Sequence, residues 1–413
     1  MEAMQLVKDY QVQGLNMVSI GQEFGTPLYI YDADKILYQY NSLVKAFDGV
    51  NIRIKYAAKA LTNQAILKLL KKAGSGIDVV SIEEAKLGFL AGFEKTDIMF
   101  TPSCVDFNEI CEAVTMGLTI NIDSIPFLEK FGKEYGDSYP CCIRINPHID
   151  AGGNVKIMTG HKESKFGISI EQLEEIYATV KKYKISVIGV HVHSGSDFKD
   201  SDAFVKAADI IFGIAKNFPG LRFLDFGSGF KVPYKKGDYS TDVADLGQKM
   251  TKAFKEFCKS YGKDLELWFE PGKYLVSESG TLLVKVNVVK EAPNMTFVGI
   301  DTGLNHLIRP MMYNAYHDIV NISNPNGEVS NYSVVGYICE TDTFATDRPL
   351  NKVREGDLLA IKNAGAYGFS MSSNYNSRLR PAEVLIYKGK AHLIRKRETF
   401  DDLLRNQVDI KLD

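Results

Sequence analysis

Lys59 follows the alternation Ile52-Arg53-Ile54-Lys55-Tyr56 and sits among small residues in Tyr56-Ala57-Ala58-Lys59-Ala60. An amine held at a strand end among apolar side chains gives up its proton readily and can form an imine with an aldehyde cofactor. Asp78 lies in the next β-rich run and Arg144 ends a later one. His191-Val192-His193 points two imidazoles to one face of a strand. That spacing can begin a metal site, but no third ligand follows at a suitable interval, and the plainer reading is one packed and one hydrogen-bonded ring. The alternative is that His193 stacks on an aromatic cofactor with Ser196 near its phosphate. Gly227-Ser228-Gly229 follows Leu224-Asp225-Phe226, where backbone N–H groups can receive a phosphate; as an isolated motif it is only a turn. Glu270-Pro271-Gly272-Lys273 ends the apolar run Leu265-Glu266-Leu267-Trp268-Phe269. A carboxylate there must be paired, protonated or hydrogen-bonded, and facing a pyridine nitrogen it would make the ring a strong electron sink.

A second group lies downstream. Ile338-Cys339-Glu340-Thr341-Asp342 brings a thiol and two acids to the end of a β-rich run. The acids suit an ammonium or amino acid and the thiol suits proton donation. Arg309-Pro310 offers a guanidinium to a carboxylate, with Tyr313 one helical turn on. Asn363-Ala364-Gly365-Ala366-Tyr367 reads as a tight turn presenting an aromatic. Tyr313 and Tyr367 could equally fill core.

Elements to hold these groups are legible in the period of the apolar residues. From about residue 50, β-rich runs alternate with helical ones: Ile52–Tyr56, Ile77–Val80, Asp97–Phe100, Leu118–Ile122, Cys141–Ile145, Ser186–Val192, Arg222–Phe226 and Leu265–Phe269, separated by stretches such as Gln64–Lys72, Ile82–Ala91 and Ala203–Ala215. That order specifies an α/β fold, a (β/α)8 TIM-type barrel, whose reactive groups collect at the C-terminal strand ends. A strand at Pro27–Tyr31 and a helix at Ala33–Ala46 precede it. After Glu270 the runs Val276–Val289, Thr296–Ile300, Val334–Cys339, Leu358–Ile361, Val384–Tyr387 and His392–Arg395 predict an antiparallel β-barrel or sandwich. The expected domains are 32–275 for the barrel, and 1–31 plus 276–413 for the β-domain.

The chain has 413 residues with 49 basic and 51 acidic side chains and a formal net charge of −2. With no basic stripe, neither nucleic acid nor an anionic membrane surface is an expected partner. No apolar run approaches the roughly 18 residues of a membrane span, and the start of the chain lacks a signal-peptide pattern, so a cytoplasmic enzyme is expected. Six cysteines show no Cys-x-x-Cys spacing. They predict no zinc site; Cys104, Cys111, Cys141, Cys142 and Cys258 read as packing residues.

Taken in order, Tyr56-Ala57-Ala58-Lys59-Ala60, His193-Ser194-Gly195-Ser196, Gly227-Ser228-Gly229, Glu270-Pro271-Gly272-Lys273, Arg309-Pro310 with Tyr313, Cys339-Glu340, and Gly365-Ala366-Tyr367 with Ser373-Asn374-Tyr375-Asn376 resemble the diaminopimelate decarboxylases. The resemblance spans about residues 25 to 400. It implies that Lys59 holds pyridoxal phosphate, that His193 stacks on its ring, and that Gly227, Ser228, Gly229 and Ser196 take the phosphate. It implies Glu270 at the ring nitrogen, with Asp78, Gly272, Lys273 and Tyr367 also at the cofactor. Lys273, Arg309, Tyr313, Glu340 and Tyr367 would surround a small amino-acid substrate, and Cys339 would return a proton after carbon dioxide leaves. The family forms homodimers whose sites borrow the cysteine and glutamate from the partner subunit. Lys273 departs from the family's usual arginine, Gly-Ser-Gly from its Gly-Gly-Gly, and Ser194 from a common aliphatic. The implied reaction converts meso-2,6-diaminopimelate to L-lysine. Alternatives are decarboxylation of carboxynorspermidine, ornithine or arginine, a racemase, and, from another class, a non-catalytic pyridoxal phosphate-binding regulator.

Overall fold

In a closed barrel every second strand residue points inward, so each strand must satisfy the interior and the surrounding helices at once. The computed structural model describes residues 10–148, 164–193 and 200–412. Eight parallel strands occur in the predicted order: Asn51–Ala57, Gly76–Val79, Ile98–Phe100, Thr119–Ile122, Cys141–Asn146, Val187–Val192, Phe223–Asp225 and Glu266–Phe269. The last pairs back to the first, Glu266 opposite Asn51, and the ring closes.

The helices between them start and stop where local chemistry dictates. Asn63 accepts the Ala65 N–H at the start of Gln64–Ala73, and Gly74 ends that helix at φ +100°. Ser81 accepts the Glu84 N–H at the start of Ile82–Ala91. Such caps satisfy backbone groups that a helix end leaves open.

Inside the barrel, character changes with height. In the middle, Phe223 stacks on Trp268 at 3.6 Å between centroids, packed with Met99 and Cys142. Gly189 completes this layer, because a Cβ there would run into the Phe223 ring. Below it, buried Lys55 lies 4.2 Å over the Trp268 ring and donates to Thr96 O at 3.2 Å. Nearer the C-terminal strand ends the buried residues turn polar: Asp78, Thr101, Asn121, Arg144, His191, Asp225 and Glu270. His191 is in register with Arg144 on one neighbour and Asp225 on the other, which makes these three one level of the wall.

The chain divides into two compact units. Leu37–Pro233 and Tyr239–Leu275 form the barrel unit; residues through Ile36, Tyr234–Asp238 and Val276–Asp413 form the other. The second unit carries a seven-strand path: Thr343–Asn351, Val329–Val335, Met295–Ile300, Gly280–Ala292, Leu28–Asp32, Ala382–Tyr387 and Lys390–Arg395. Most neighbours are antiparallel. Leu28–Asp32 with Ala382–Tyr387, and Met295–Ile300 with Val329–Val335, run parallel. Leu28, Ile30, Leu283, Val384 and Ile386 share its core with Met17 and Ile20.

Most β-run boundaries in this unit differ from expectation, by one or two residues at Met295, Ala382 and Lys390 and by more at two places. Val276 belongs to a helical turn, Lys273–Val276, and the strand begins at Gly280. The run expected to reach Cys339 stops at Val335. Its antiparallel partner, Thr343–Asn351, was not anticipated: Asp347, Arg348 and Pro349 interrupt the apolar alternation that marks a strand.

Two buried histidines make this unit acid-sensitive. His306 Nε2 faces Leu379 O at 3.0 Å and Nδ1 faces Thr302 Oγ1 at 2.9 Å. A carbonyl only accepts, so Nε2 carries the hydrogen and the neutral ring is satisfied at both ends. Burial lowers the His306 pKa from 6.5 to about 4, and that of His317 likewise. Between those values the unfolded chain binds protons that the folded chain refuses. The stability is therefore complete above pH 6.5 and is lost as pH falls towards 4, by up to about 3 kcal/mol per histidine. Denaturant melts followed by circular dichroism from pH 7 to 4.5 should show this fall, with a shallower slope in His306→Gln.

Candidate active site

Lys59 lies in the turn Ala58–Ala60, directly after the first barrel strand ends at Ala57. Its Nζ lies 3.8 Å from Asp78 Oδ2, and the lysine is about half exposed while the aspartate is buried. Burial, then the Glu270 charge, push the Asp78 carboxyl up to about 7 against the pull of Lys59.

Glu270 occupies the end of the eighth strand and is 7% exposed. His191 Nε2 lies 3.1 Å from Glu270 Oε2. Burial alone would raise the Glu270 pKa; His191, with Lys59 and His193, overturns this and holds it at about 2. Burial also lowers the His191 pKa. His191 Nε2 thus carries a hydrogen that it donates to an ionised Glu270 carboxylate. Among the described residues Glu270 Oε1 is buried and without a donor, an acceptor that a ring N–H would satisfy.

The glycine turn is tied into the same wall. Gly227, at φ +60°, donates its N–H to Asp225 Oδ1 at 2.8 Å. A Cβ on Gly227 would sit 2.5 Å from His193 Nδ1, so no other residue fits. Ser228 N–H donates to His193 Nδ1 at 3.0 Å and fixes the edge of that ring. Two of the three turn N–H groups are therefore committed inside the protein. Gly229, the third residue of the turn, has φ +141°. Gly272 packs under the first strand, where a Cβ would press on Ala57 and Ala60. Lys273 is half-buried at the start of the following helical turn. Ser196 lies outside the described residues.

An amine, an imidazole edge, a glycine turn and an unsatisfied buried carboxylate oxygen fit the aldehyde, ring, phosphate and ring nitrogen of pyridoxal phosphate.

Sequence spacing missed what comes from different strands. His191, Asp225 and Glu270 bring their ligand-capable atoms within 4.8 Å of one another, although no interval in the sequence announces a trio. The available signal was a charged residue at an inward position of an apolar strand: Asp225 two after Phe223. Arg144 is buried and lies 4.8 Å over the Phe166 ring.

In the β unit, Arg309 and Tyr313 open and close one short helix. The Arg309 guanidinium lies over Tyr234 at 5.4 Å and Tyr313 at 5.9 Å, with Nη2 3.4 Å from Tyr234 Oη. Its Nε is buried and unpartnered. Tyr367 follows Gly365-Ala366 with φ +56°; a Cβ on Gly365 would collide with Val276 O.

Cys339 and Glu340 are exposed. Tyr375 Oη donates to Glu340 Oε1 at 2.9 Å, and Cys339 Sγ lies 3.4 Å from Asn376 Oδ1. The second acid, Asp342, is structural: its carboxylate takes the Leu304 and Ile338 N–H groups at 2.7 and 3.1 Å. Cys104 is also exposed, at φ +58°, in place of the expected packing role.

The family model of the pyridoxal-dependent decarboxylase, pyridoxal binding domain, matches residues 33–277. The chain is 39% identical over 406 residues to the diaminopimelate decarboxylase of Methanothermobacter thermautotrophicus, covering 96% of this chain and 95% of that protein. It is 38% identical to that of Campylobacter jejuni, with 92% and 96% covered. A solved diaminopimelate decarboxylase from Helicobacter pylori, complexed with L-lysine, superposes with a TM-score of 0.87 at 36% identity, covering 94% of this chain and 98% of that one. A lysine/ornithine decarboxylase from Vibrio vulnificus shares the fold at 23% identity and TM-score 0.78 over 91% and 98% of the two chains.

Removing the histidine should expose how the carboxylate is held. His191→Ala leaves Glu270 buried without its donor, and should destabilise the cofactor-free protein by about 2 kcal/mol in a urea titration at pH 7.

Proposed function

Because the chain belongs to the pyridoxal-dependent decarboxylases, and among them to the diaminopimelate decarboxylases, we propose that it decarboxylates meso-2,6-diaminopimelate to L-lysine and carbon dioxide. The observation that carries the chemistry is the His191–Glu270 pair. It supplies an ionised, water-excluded carboxylate with one oxygen open to a ring N–H. Such a partner keeps a pyridine nitrogen protonated.

Pyridoxal phosphate, when bound, is the sink for electrons released at the substrate's α-carbon. The chain's own groups do the rest. Lys59 holds the cofactor and releases it to the incoming amine. Asp78, at 3.8 Å, gives the departing Nζ a partner for its proton. His193 presents a ring fixed through Nδ1 by the Ser228 N–H. Gly227, Ser228, Gly229, Ser196, Gly272, Lys273 and Tyr367 complete the proposed cofactor contacts. Lys273, Arg309, Tyr313, Glu340 and Tyr367 are the proposed substrate contacts.

The Cys339 thiol returns a proton from Sγ to the carbon that has lost its carboxylate, which balances the reaction. We take the working protein to be a cytoplasmic homodimer in which Cys339 and Glu340 serve the partner's site. Their exposure in a single chain supports this, since a group meant to meet substrate out of water needs a further surface to cover it.

Borohydride should fix the cofactor covalently to Lys59, and Lys59→Ala should lose both the visible absorption and the label. Incubation with meso-diaminopimelate should yield lysine, while ornithine, arginine and carboxynorspermidine should remain intact; product from one of those three and none from diaminopimelate overturns the assignment.

The dimer is tested separately. Mixed Lys59→Ala and Cys339→Ala subunits, each inactive alone, should regain up to about a quarter of wild-type activity, since half the dimers are mixed and each has one complete site. No recovery after proven subunit exchange would place both residues on one chain.

A further inference from the structure

Asp225 has no exposed surface and no part in the chemistry proposed above, yet it joins two features that the chemistry needs. Its Oδ1 accepts the Gly227 N–H at 2.8 Å and so holds the first residue of the glycine turn. Among the described residues, neither its buried Oδ2 nor Glu270 Oε1 meets a donor. The two acids share one cluster with His191.

Two ionised carboxylates that close, both out of water, repel strongly, so one of them carries a proton. Glu270 has the imidazole donor and keeps its charge. Asp225 has only a neutral backbone N–H. Burial, then the Glu270 charge, and further on that of Asp78, raise its pKa well above the ordinary carboxylate value. Arg144, in register across His191, is the cation at this level.

We propose that Asp225 is a positioning residue present as the neutral acid, donating Oδ2–H to Glu270 while Oδ1 holds the Gly227 N–H. A single proton then satisfies the two orphaned oxygens of neighbouring acids. Oε1 retains a second lone pair for a ring nitrogen. One side chain sets the spacing between the carboxylate at the ring nitrogen and the turn at the phosphate. This consequence rests on the pyridoxal phosphate reading; the placement of the proton is a property of the chain alone.

Asparagine is the discriminating replacement, because it keeps an oxygen for Gly227 and offers an N–H to Glu270. Difference infrared spectra of full-length wild type minus Asp225→Asn should show the carbonyl stretch of a protonated acid, with and without cofactor. The cofactor-free Asp225→Asn protein should bind pyridoxal phosphate within about threefold of wild type, while Asp225→Ala, which loses both bonds, should bind at least about tenfold more weakly. If Asp225→Ala does not fold, the spectra and the asparagine variant decide the matter.

Absence of the acid band overturns the proposal, as does Asp225→Asn binding tenfold or more weakly than wild type. Stoichiometric divalent metal in the wild type, lost in Asp225→Asn and without an acid band, also overturns it by making the trio a metal site. Should the wild type bind no pyridoxal phosphate, the functional reading fails, while an acid band in the cofactor-free protein would leave the proton on Asp225.

Discussion

Water is excluded from the level of the barrel where Asp78, Arg144, His191, Asp225 and Glu270 meet, and the site depends on how that level distributes its charge. In water each acid would ionise on its own account. Here desolvation disfavours every charge, and each ionised acid raises the next. Glu270 keeps its negative charge because it alone among the three acids takes a hydrogen bond from the imidazole of His191. Asp78 is drawn to about 7, balanced between Glu270 and Lys59. The order of charge follows from which strand neighbours which, so it is a property of barrel closure as much as of residue type.

The same closure explains why the glycine turn and the carboxylate act together. Gly227 leaves the seventh strand directly above Asp225, and Glu270 N–H bonds back to Gly227 O across the sheet. A shift of one residue in either strand would point Asp225 and Glu270 outward, towards the helices, and put apolar residues inside. Phe223 under Asp225 and Trp268 under Glu270 oppose that shift. Their stacked rings fill the interior one layer below, and Gly189 leaves them the room.

The barrel was legible because its strands are buried on both faces and therefore read as short apolar runs bounded by turns. Helix Ala33–Ala46 was legible to the residue, since its apolar period is undisturbed. Asp225 was visible only as the polar letter in Leu224-Asp225-Phe226, and its importance depends on a neighbour 45 positions away in sequence. The His191–Glu270 bond spans 79 positions. No local pattern encodes either. Thr343–Asn351 was missed for the opposite reason: its pairing partner, Val329–Val335, supplies the order that its own polar, proline-containing sequence does not. The exposure of Cys339 was not legible, because a cysteine's residue type argues for burial.

Under the proposed function, Arg309 is the group that selects the substrate. Among the described residues its guanidinium rests against two aromatic rings and makes one long contact, 3.4 Å, to the Tyr234 hydroxyl. Its Nε–H is buried with no acceptor. A buried donor left open on a cation costs about as much as any single unsatisfied group in a protein, and more than a neutral one. A second carboxylate on the substrate removes that cost through a short, charge-assisted bond. A substrate ending in an ammonium, as ornithine does, adds repulsion and leaves the donor open. Discrimination between them therefore comes from both directions, a gain for the dicarboxylate and a penalty for the diamine acid. Lysine, the product, has lost one of the two carboxylates, so an Arg309 that grips the distal centre would hold the substrate by a group that decarboxylation leaves behind only if the reacting carboxylate is the other one.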